Sequence, residues 1–303
     1  MAGAGLAAKL SPQTPLSAAI GVWESHMQQA GLSENTVKAF AGDLRLYGRF
    51  AGMGQPIGEV HTPRLNEFLG WLEHDRGVPC SPKSYARRVT SLKAFFKWLF
   101  DSGVLAHDPA AAVLQRSVSS PLPEILTPAE VEAALAAAAQ IRQPADGRRA
   151  DARPALLVSL VLQTGIKKSE VMAIGPNHID LAGPAGPGLY IRYANPRQRH
   201  KERKLPLDPA WPAILAEYRD QYQPRERLFE CTARNLEYVL ADLGRLAGVA
   251  KPLSFETLRW TCAVRDHVAG LAPETLRLKL GLSKITWRET EEKLVRLSEG
   301  TSG

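Results

Sequence analysis

The side chains best suited to chemistry in this chain are cations, and they fall into three groups. Between Ser81 and Leu99 lie Lys83, Arg87, Arg88, Lys93 and Lys97, with no acid among them. At about 100° per residue, Tyr85, Val89, Leu92, Phe96 and Leu99 form one apolar stripe. Lys83, Arg87 and Lys97 then lie opposite it, with Arg88 and Lys93 on its flanks. A solvated face normally mixes signs, so this count reads as a helix that contacts phosphates or lies in a groove. The second group is the stretch Arg192 to Lys204, six Lys and Arg against the single acid Glu202. Asn195-Pro196 breaks the strand there, placing Arg197, Arg199, His200, Lys201 and Arg203 on or beside a projecting loop. In the third, Arg259 stands among Leu258, Trp260 and Cys262, early in a largely apolar helix. An arginine in such surroundings needs a carboxylate or a phosphate. Cys80, Cys231 and Cys262 are far apart and lack metal-ligand or paired spacing, so neither a metal site nor a disulfide is expected. No cofactor is expected either.

These groups must be positioned by helices. A length of 303 residues predicts two domains, and 45% hydrophobic with 23% charged residues is ordinary for a folded protein. Leu16, Ile20, Trp23 and Met27 recur at helical spacing, as do Val37, Phe40, Leu44 and Tyr47 behind a Ser33 cap. Helices over Pro63–His74 and Pro82–Phe100 complete a four-helix domain over residues 15–115. Residues 1–14 read as a flexible arm without the basic lead and apolar core of a secretory signal. Residues 116–126 read as a linker. A second domain, 127–303, opens with a capping box from Thr127 to Glu130. It continues with an apolar helix ending near Gly165, a strand pair over Leu189–Tyr193 and Arg203–Leu207, and five further helices. The fold class is therefore mainly α with one small sheet. No run is long and apolar enough for a membrane span.

The order of these features resembles the tyrosine recombinase (phage integrase) family across about residues 15–297. LSENTVKAFAGDLRLYGRFA and SPKSYARRVTSLKAFFKWLFDSGVLAHDPA are similar to its core-binding helical domain. LQTGIKKSEVMAI resembles its Thr-Gly-hydrophobic-Arg-x-x-Glu segment, and HKERKLPL its hairpin-lysine segment. SFETLRW resembles its His-x-x-Arg-His segment, and LGLSKIT the Leu-Gly-His-Ser segment that precedes its nucleophile. The resemblance implies attack of a tyrosine hydroxyl on a DNA phosphate, with two arginines, a lysine and histidines or a tryptophan stabilising the transition state.

Residue by residue, the first arginine position is Lys167, the lysine Lys201, the first histidine Glu256, and the second arginine Arg259 with Trp260 after it. The next histidine position is Leu282, and the tyrosine position falls at or near Glu291. The last tyrosine in the chain is Tyr238, leaving Ser283, Thr286, Thr290 and Ser298 as hydroxyls in the carboxyl-terminal part. Glu256 and Glu291 are expected to bring negative charge toward the phosphate, or Glu256 to pair with Arg259 or Lys167.

These replacements predict a chain that clamps duplex DNA but has lost strand cleavage, with no residue catalytically active. Lys83, Arg87, Arg88, Lys93, Lys97, Arg197, Arg199, Lys201, Arg203, Arg259, Lys284 and Arg288 are the expected DNA contacts. DNA, a second copy or an active recombinase are the expected partners, in the cytoplasm with the nucleoid, away from membranes. A divergent active recombinase, or a protein-interaction module, is the alternative. Only twelve residues follow Glu291, so exchange of a terminal helix between subunits is not expected.

Overall fold

Four amphipathic helices build the amino-terminal unit, Met1–Pro121, and the remainder, Leu122–Gly303, forms a second unit. The computed structural model describes residues 7–113, 121–145, 147–184 and 186–299. Residues 1–6 of the expected arm and 116–120 of the expected linker lie outside the described residues. Helix α1 (Leu16–Gln29) buries Leu16, Ile20, Trp23 and Met27, the residues its spacing singles out. The α2 helix (Glu34–Ala51) starts at Ser33, whose Oγ accepts the Thr36 N–H at 3.2 Å. It is followed by α3 (Thr62–His74) and α4 (Pro82–Asp101), the latter capped by Ser81, with Pro82 filling a first-turn position that needs no donor. Their apolar stripes meet in an aromatic core in which Trp23 lies edge-on to Phe95 and Tyr47 edge-on to Phe68.

Two polar residues are buried among the described residues of this unit, Asp43 and Ser91. Asp43 on α2 is 4% exposed, and Arg87 of α4 forks onto it, Nε and Nη2 donating to the two carboxylate oxygens at 2.9 and 2.8 Å. The Ser91 hydroxyl donates a third bond at 2.9 Å, and Arg88 Nε lies 3.6 Å from the same carboxylate. The hydrogen bond to Asp43 holds the Arg87 guanidinium above its ordinary range. The expected all-basic DNA face of α4 is corrected here for two residues. Arg88 is only 11% exposed and packs inward, and the Arg87 fork is taken up by Asp43. The neutralising acid comes from another helix, so a count along α4 cannot see it. Lys97 also pairs with an acid, Asp101, one turn beyond the stretch that was counted. Lys83 is exposed and Lys93 half-buried.

In the second unit, α5 (Pro128–Arg142) begins with the capping box, Thr127 and Glu130 exchanging backbone and side-chain hydrogen bonds. The apolar α6 (Arg153–Thr164) is buried along nearly its whole length, and a short α7 (Lys168–Val171) follows. Three antiparallel strands come next, β1 (Ile179–Asp180), β2 (Gly188–Ile191) and β3 (Arg203–Pro206), in the order β1-β2-β3 with Leu189 opposite Leu205. The connection from β2 to β3 carries an exposed 3₁₀ turn, Pro196–Lys201. Helices α8 (Trp211–Tyr222), α9 (Ala233–Leu246), α10 (Phe255–Val268), α11 (Pro273–Lys279) and α12 (Lys284–Glu299) complete the unit. Its main core gathers around α6, with Trp211, Leu240 and Leu258 fully buried. A smaller cluster of Ala263, Val264, Leu276, Leu280, Trp287 and Leu294 fastens α11 and α12 to α10. Among the described residues no helix is long and apolar enough to cross a membrane.

Removing Asp43 strips Arg87 and a buried hydroxyl of their shared acceptor and Arg88 of a nearby counter-charge. Asp43→Ala in the full chain is expected to cost about 1.5–3 kcal/mol, the range for hydrogen bonds to a charged group, read as a lowered urea midpoint. An unchanged midpoint would contradict the role given to this carboxylate.

Candidate functional site

The candidate side chains of the second unit come from the turn after α6, the hairpin base, α10 and α12. Gly165, the cap of α6, has φ +61, and a Cβ there would come within 2.9 Å of Leu280 Cδ2 and 3.2 Å of Cys262 Sγ. Only glycine lets the chain turn so closely, and the turn delivers Lys167 to the start of α7. From α10, Arg259 Nη1 donates to the Gly165 carbonyl and Nη2 to the Leu280 carbonyl, the latter at 2.8 Å. These carbonyls sit at the carboxyl ends of α6 and α11, where helices leave acceptors unpaired and favour a cation. Arg259 thereby ties two helix ends together and keeps three of its five N–H donors.

Glu170 is the one buried carboxylate among the described residues of this unit. It accepts the Tyr193 hydroxyl, the Lys167 backbone N–H at 2.8 Å, and a two-pronged bond from Arg203 at 2.9 and 3.1 Å. Arg203 Nε also donates to the Lys279 carbonyl at 2.7 Å, so the β3 strand, α7 and the end of α11 meet at one guanidinium. Gly281, at φ +61, passes so close that a Cβ would lie 2.7 Å from Arg203 Nη1. Burial pushes the Glu170 carboxyl up, but the Arg203 fork, Tyr193 and the Lys167 N–H outweigh it, leaving the group below its ordinary range. Burial, the hydrogen bond to Glu170 and its charge push the Tyr193 hydroxyl up to about 12.

Beside this network is a hollow of about 260 Å³ lined by Lys167, Arg259, Trp260, Leu282, Thr286 and Thr290, among others. Burial, then the positive charge of Arg259, hold the Lys167 ammonium below its usual range. Burial likewise draws Arg259 downward, though a guanidinium stays protonated at neutral pH. Neither residue forms a salt bridge among the described residues. The charge of Glu170 acts on both, but that carboxylate is also forked by Arg203, so cations outnumber acids around the hollow and it favours an anion. Thr290 donates to the Thr286 carbonyl at 2.9 Å, and the Thr286 and Ser283 hydroxyls share a hydrogen bond at 2.9 Å.

Four sequence expectations for this region are corrected. Arg203 is not placed as a DNA contact, because its side chain is 9% exposed and forked onto Glu170. Glu256 is exposed, and no described contact joins it to Arg259 or Lys167. Arg259, expected to meet a carboxylate or a phosphate, instead donates to the Gly165 and Leu280 carbonyls, and the arginine forked onto a buried carboxylate is Arg203 on Glu170. Glu291 does not line the hollow; the helical turn of α12 puts Thr286 and Thr290 there instead. Lys201 is half-buried, with its positive charge acting on Lys167, while Arg197, Arg199, Lys284 and Arg288 are exposed. Sequence reasoning passed over Glu170, Tyr193 and the threonine pair as a local group. For Glu170 the signal was present, since it is the glutamate of LQTGIKKSE.

Residues 22–103 match the family model described as phage integrase, N-terminal SAM-like domain. Over 283 residues, covering 89% of this chain and 91% of the relative, the chain is 23% identical to a protein named tyrosine recombinase XerD of Listeria innocua. It is 32% identical over 153 residues, half of each chain, to one named tyrosine recombinase XerC of Mycobacterium bovis. Among solved structures, a lambda integrase dimer bound to a COC' core site shares the fold at TM-score 0.68 and 14% identity, covering 92% of this chain and 77% of that one. XerH bound to a palindromic difH substrate in a post-cleavage complex does so at TM-score 0.68 and 18% identity, covering 99% and 93%. The expectation that the chain is not an enzyme is overturned by these relatives, which are named as recombinases, the Listeria one matching over 91% of its length and the Mycobacterium one over half. That expectation rests on the replacements at Lys167, Glu256, Leu282 and Glu291 and on the lack of a tyrosine after Tyr238.

The Glu170–Arg203 pair yields two tests. Arg203→Met leaves a buried carboxylate without its main partner and is expected to cost about 3–5 kcal/mol. The Arg203→Met/Glu170→Met double variant should recover most of that loss; equal losses would show that the pair is not coupled. Because Glu170 titrates lower folded than unfolded, its contribution is full above the ordinary carboxylate range and is lost as pH falls through about 4 and below. Urea midpoints between pH 7 and 3 should therefore fall less steeply in Glu170→Gln than in the parent.

Proposed function

We propose, on the footing that this chain belongs to the tyrosine recombinase (phage integrase) family, that it is a divergent site-specific DNA recombinase acting on duplex DNA in the cytoplasm. The observation that carries this reading is the convergence of Lys167, Arg259 and the α12 hydroxyls on one positively charged hollow. A phosphodiester entering it meets the three remaining N–H donors of Arg259 and the Lys167 ammonium, which suit the charge that develops on phosphorus-bound oxygens. Thr286 is the exposed hydroxyl at the hollow. In the step we propose, its oxygen forms a bond to phosphorus as the bond from phosphorus to a deoxyribose oxygen breaks. The hydroxyl proton passes to water, and Lys167, held below its usual range, gives a proton to the leaving oxygen. Attack on the protein-bound phosphate by a deoxyribose hydroxyl of a second strand reverses the step and completes the exchange. The related proteins bound to DNA as a dimer or in cleavage complexes support action on paired DNA sites by more than one copy.

Exposed Lys83 on α4, with Arg197, Lys284 and Arg288 in the second unit, supplies the outer phosphate contacts in this reading. Each contact neutralised releases counterions, so affinity falls with salt in proportion to their number. Combined Arg197→Ala and Lys284→Ala should lower the slope of log affinity against log salt by roughly 2, about 0.9 per phosphate contact.

Strand transfer is tested with a nicked duplex that traps a covalent protein–DNA adduct, drawn from a library of candidate sites. An adduct is expected, with peptide mapping placing it on Thr286 and Thr286→Ala abolishing it. An adduct on another residue would overturn the assignment of Thr286, and duplex binding without any adduct across the library would overturn the recombinase reading.

A further inference from the structure

On the outer side of the hairpin base lies a second hollow, of about 630 Å³, lined by His178, Arg192, Tyr193, Arg199, Glu202 and Arg227, among others. Its walls are held from three directions. Arg227 Nη1 donates to the Ala173 carbonyl at 2.9 Å, and the Leu228 N–H donates to Ile174 at 2.7 Å, fixing that segment against the tail of α7. His178 Nδ1 accepts the Gly175 N–H at 3.2 Å, which leaves Nε2–H as the free donor of the neutral ring. Arg192 follows β2 with its guanidinium 5.4 Å from the centre of the Tyr190 ring.

The charge of this hollow is lopsided. Three guanidiniums and an imidazole face one carboxylate, Glu202, which is engaged by the Tyr193 backbone N–H at 2.9 Å. Arg192, Arg199 and Arg227 form no salt bridge among the described residues. Burial, then Arg192 and Arg227, hold the His178 imidazole below its ordinary range, with Glu202 opposing them. Three cations gathered in a concavity with a single carboxylate, itself bonded to a backbone N–H, are what an oxyanion with several acceptor oxygens relieves, and the planar fork of arginine suits two of those oxygens at once.

We propose that this hollow is a phosphate-binding site distinct from the Lys167–Arg259 hollow, with Arg192, Arg227 and His178 as its donors and Arg199 closing its outer side. The chemistry fits a phosphate group carried either by a DNA backbone or by a free phosphate or nucleotide. The site stands independently of strand transfer, since it uses none of the residues assigned to that step. It is coupled to them by one side chain: Tyr193 lines this hollow while its hydroxyl donates to Glu170.

His178 reports on this site and not on the other. In the full chain, its imidazole resonances, assigned by comparison with His178→Asn, are followed by NMR at fixed pH and ionic strength as inorganic phosphate replaces chloride. A saturable shift is expected, with the midpoint weakened at least tenfold in Arg192→Gln/Arg227→Gln and nearly restored in Arg192→Lys/Arg227→Lys. If the double glutamine variant fails to fold, the exposed Arg192→Gln alone is expected to weaken the midpoint severalfold. A second arm adds a short duplex in place of phosphate. A His178 shift with inorganic phosphate at millimolar concentration supports a free phosphate ligand, and one with duplex alone supports a backbone phosphate. His178 resonances unmoved by both, or moved equally in parent and glutamine variants, would overturn the proposal. Arg192→Gln also separates the two readings, because it leaves covalent adduct formation by the other hollow available to measurement.

Discussion

A carboxylate withdrawn from water costs several kcal/mol unless its lone pairs find donors, and the second unit is arranged around meeting that demand for Glu170. Its four donors come from the Tyr193 hydroxyl, the Lys167 backbone and both ends of the Arg203 fork. Those three residues belong to the start of α7, the connection after β2, and β3, so the carboxylate ties α7 to the hairpin. Arg203 then reaches the Lys279 carbonyl, bringing in the end of α11 and, through it, α12. Asp43 does the same in the first unit, where two arginines and Ser91 of α4 are held against α2. In both units a buried acid fixes arginines whose charge, seen along the chain, looks available.

The Lys167–Arg259 hollow follows from the same frame. Arg259 closes the carboxyl ends of α6 and α11, and the glycine cap of α6 lets Lys167 emerge beside it. Glu170 is shared between its fork from Arg203 and the charges of Lys167 and Arg259, so it offsets them only in part, and the surplus positive charge favours an anion in the hollow. The hydroxyls of α12 reach this place because Trp287 and Leu294 anchor that helix in the small apolar cluster with Val264 and Leu276.

Much of the architecture was readable from periodicity and capping. The stripes of α1, α2 and α4, the Thr127–Glu130 box and the break at Gly165 depend on neighbours three or four residues apart, which a sequence displays directly. β1 was missed because two residues between turn-forming segments give no alternation to read. The site was legible where a motif carried it, as for Lys167 and Arg259. It was misread wherever charge balance depended on contacts distant in sequence: Asp43 lies 44 residues from Arg87, and Glu170 lies 33 from Arg203. Glu256 and Glu291 were given to the hollow by their spacing from motif residues, but the phase of α10 and α12 sends Glu256 to the surface and brings Thr286 and Thr290 to the hollow in place of Glu291. The not-an-enzyme reading failed in a related way, resting on single positions where relatives matched along nearly the entire chain.

Arg259 has a further consequence. Its two bonds to the Gly165 and Leu280 carbonyls join the ends of α6 and α11, and in the proposed reaction the same guanidinium faces an anion in the hollow. Any anion that draws it outward competes with those carbonyls. Rigidity at the junction of α6 and α11 and grip on the anion are thus in opposition, a stability–activity trade-off concentrated in one side chain. Changes that loosen this junction should make the empty protein less stable while leaving the arginine freer to engage its ligand.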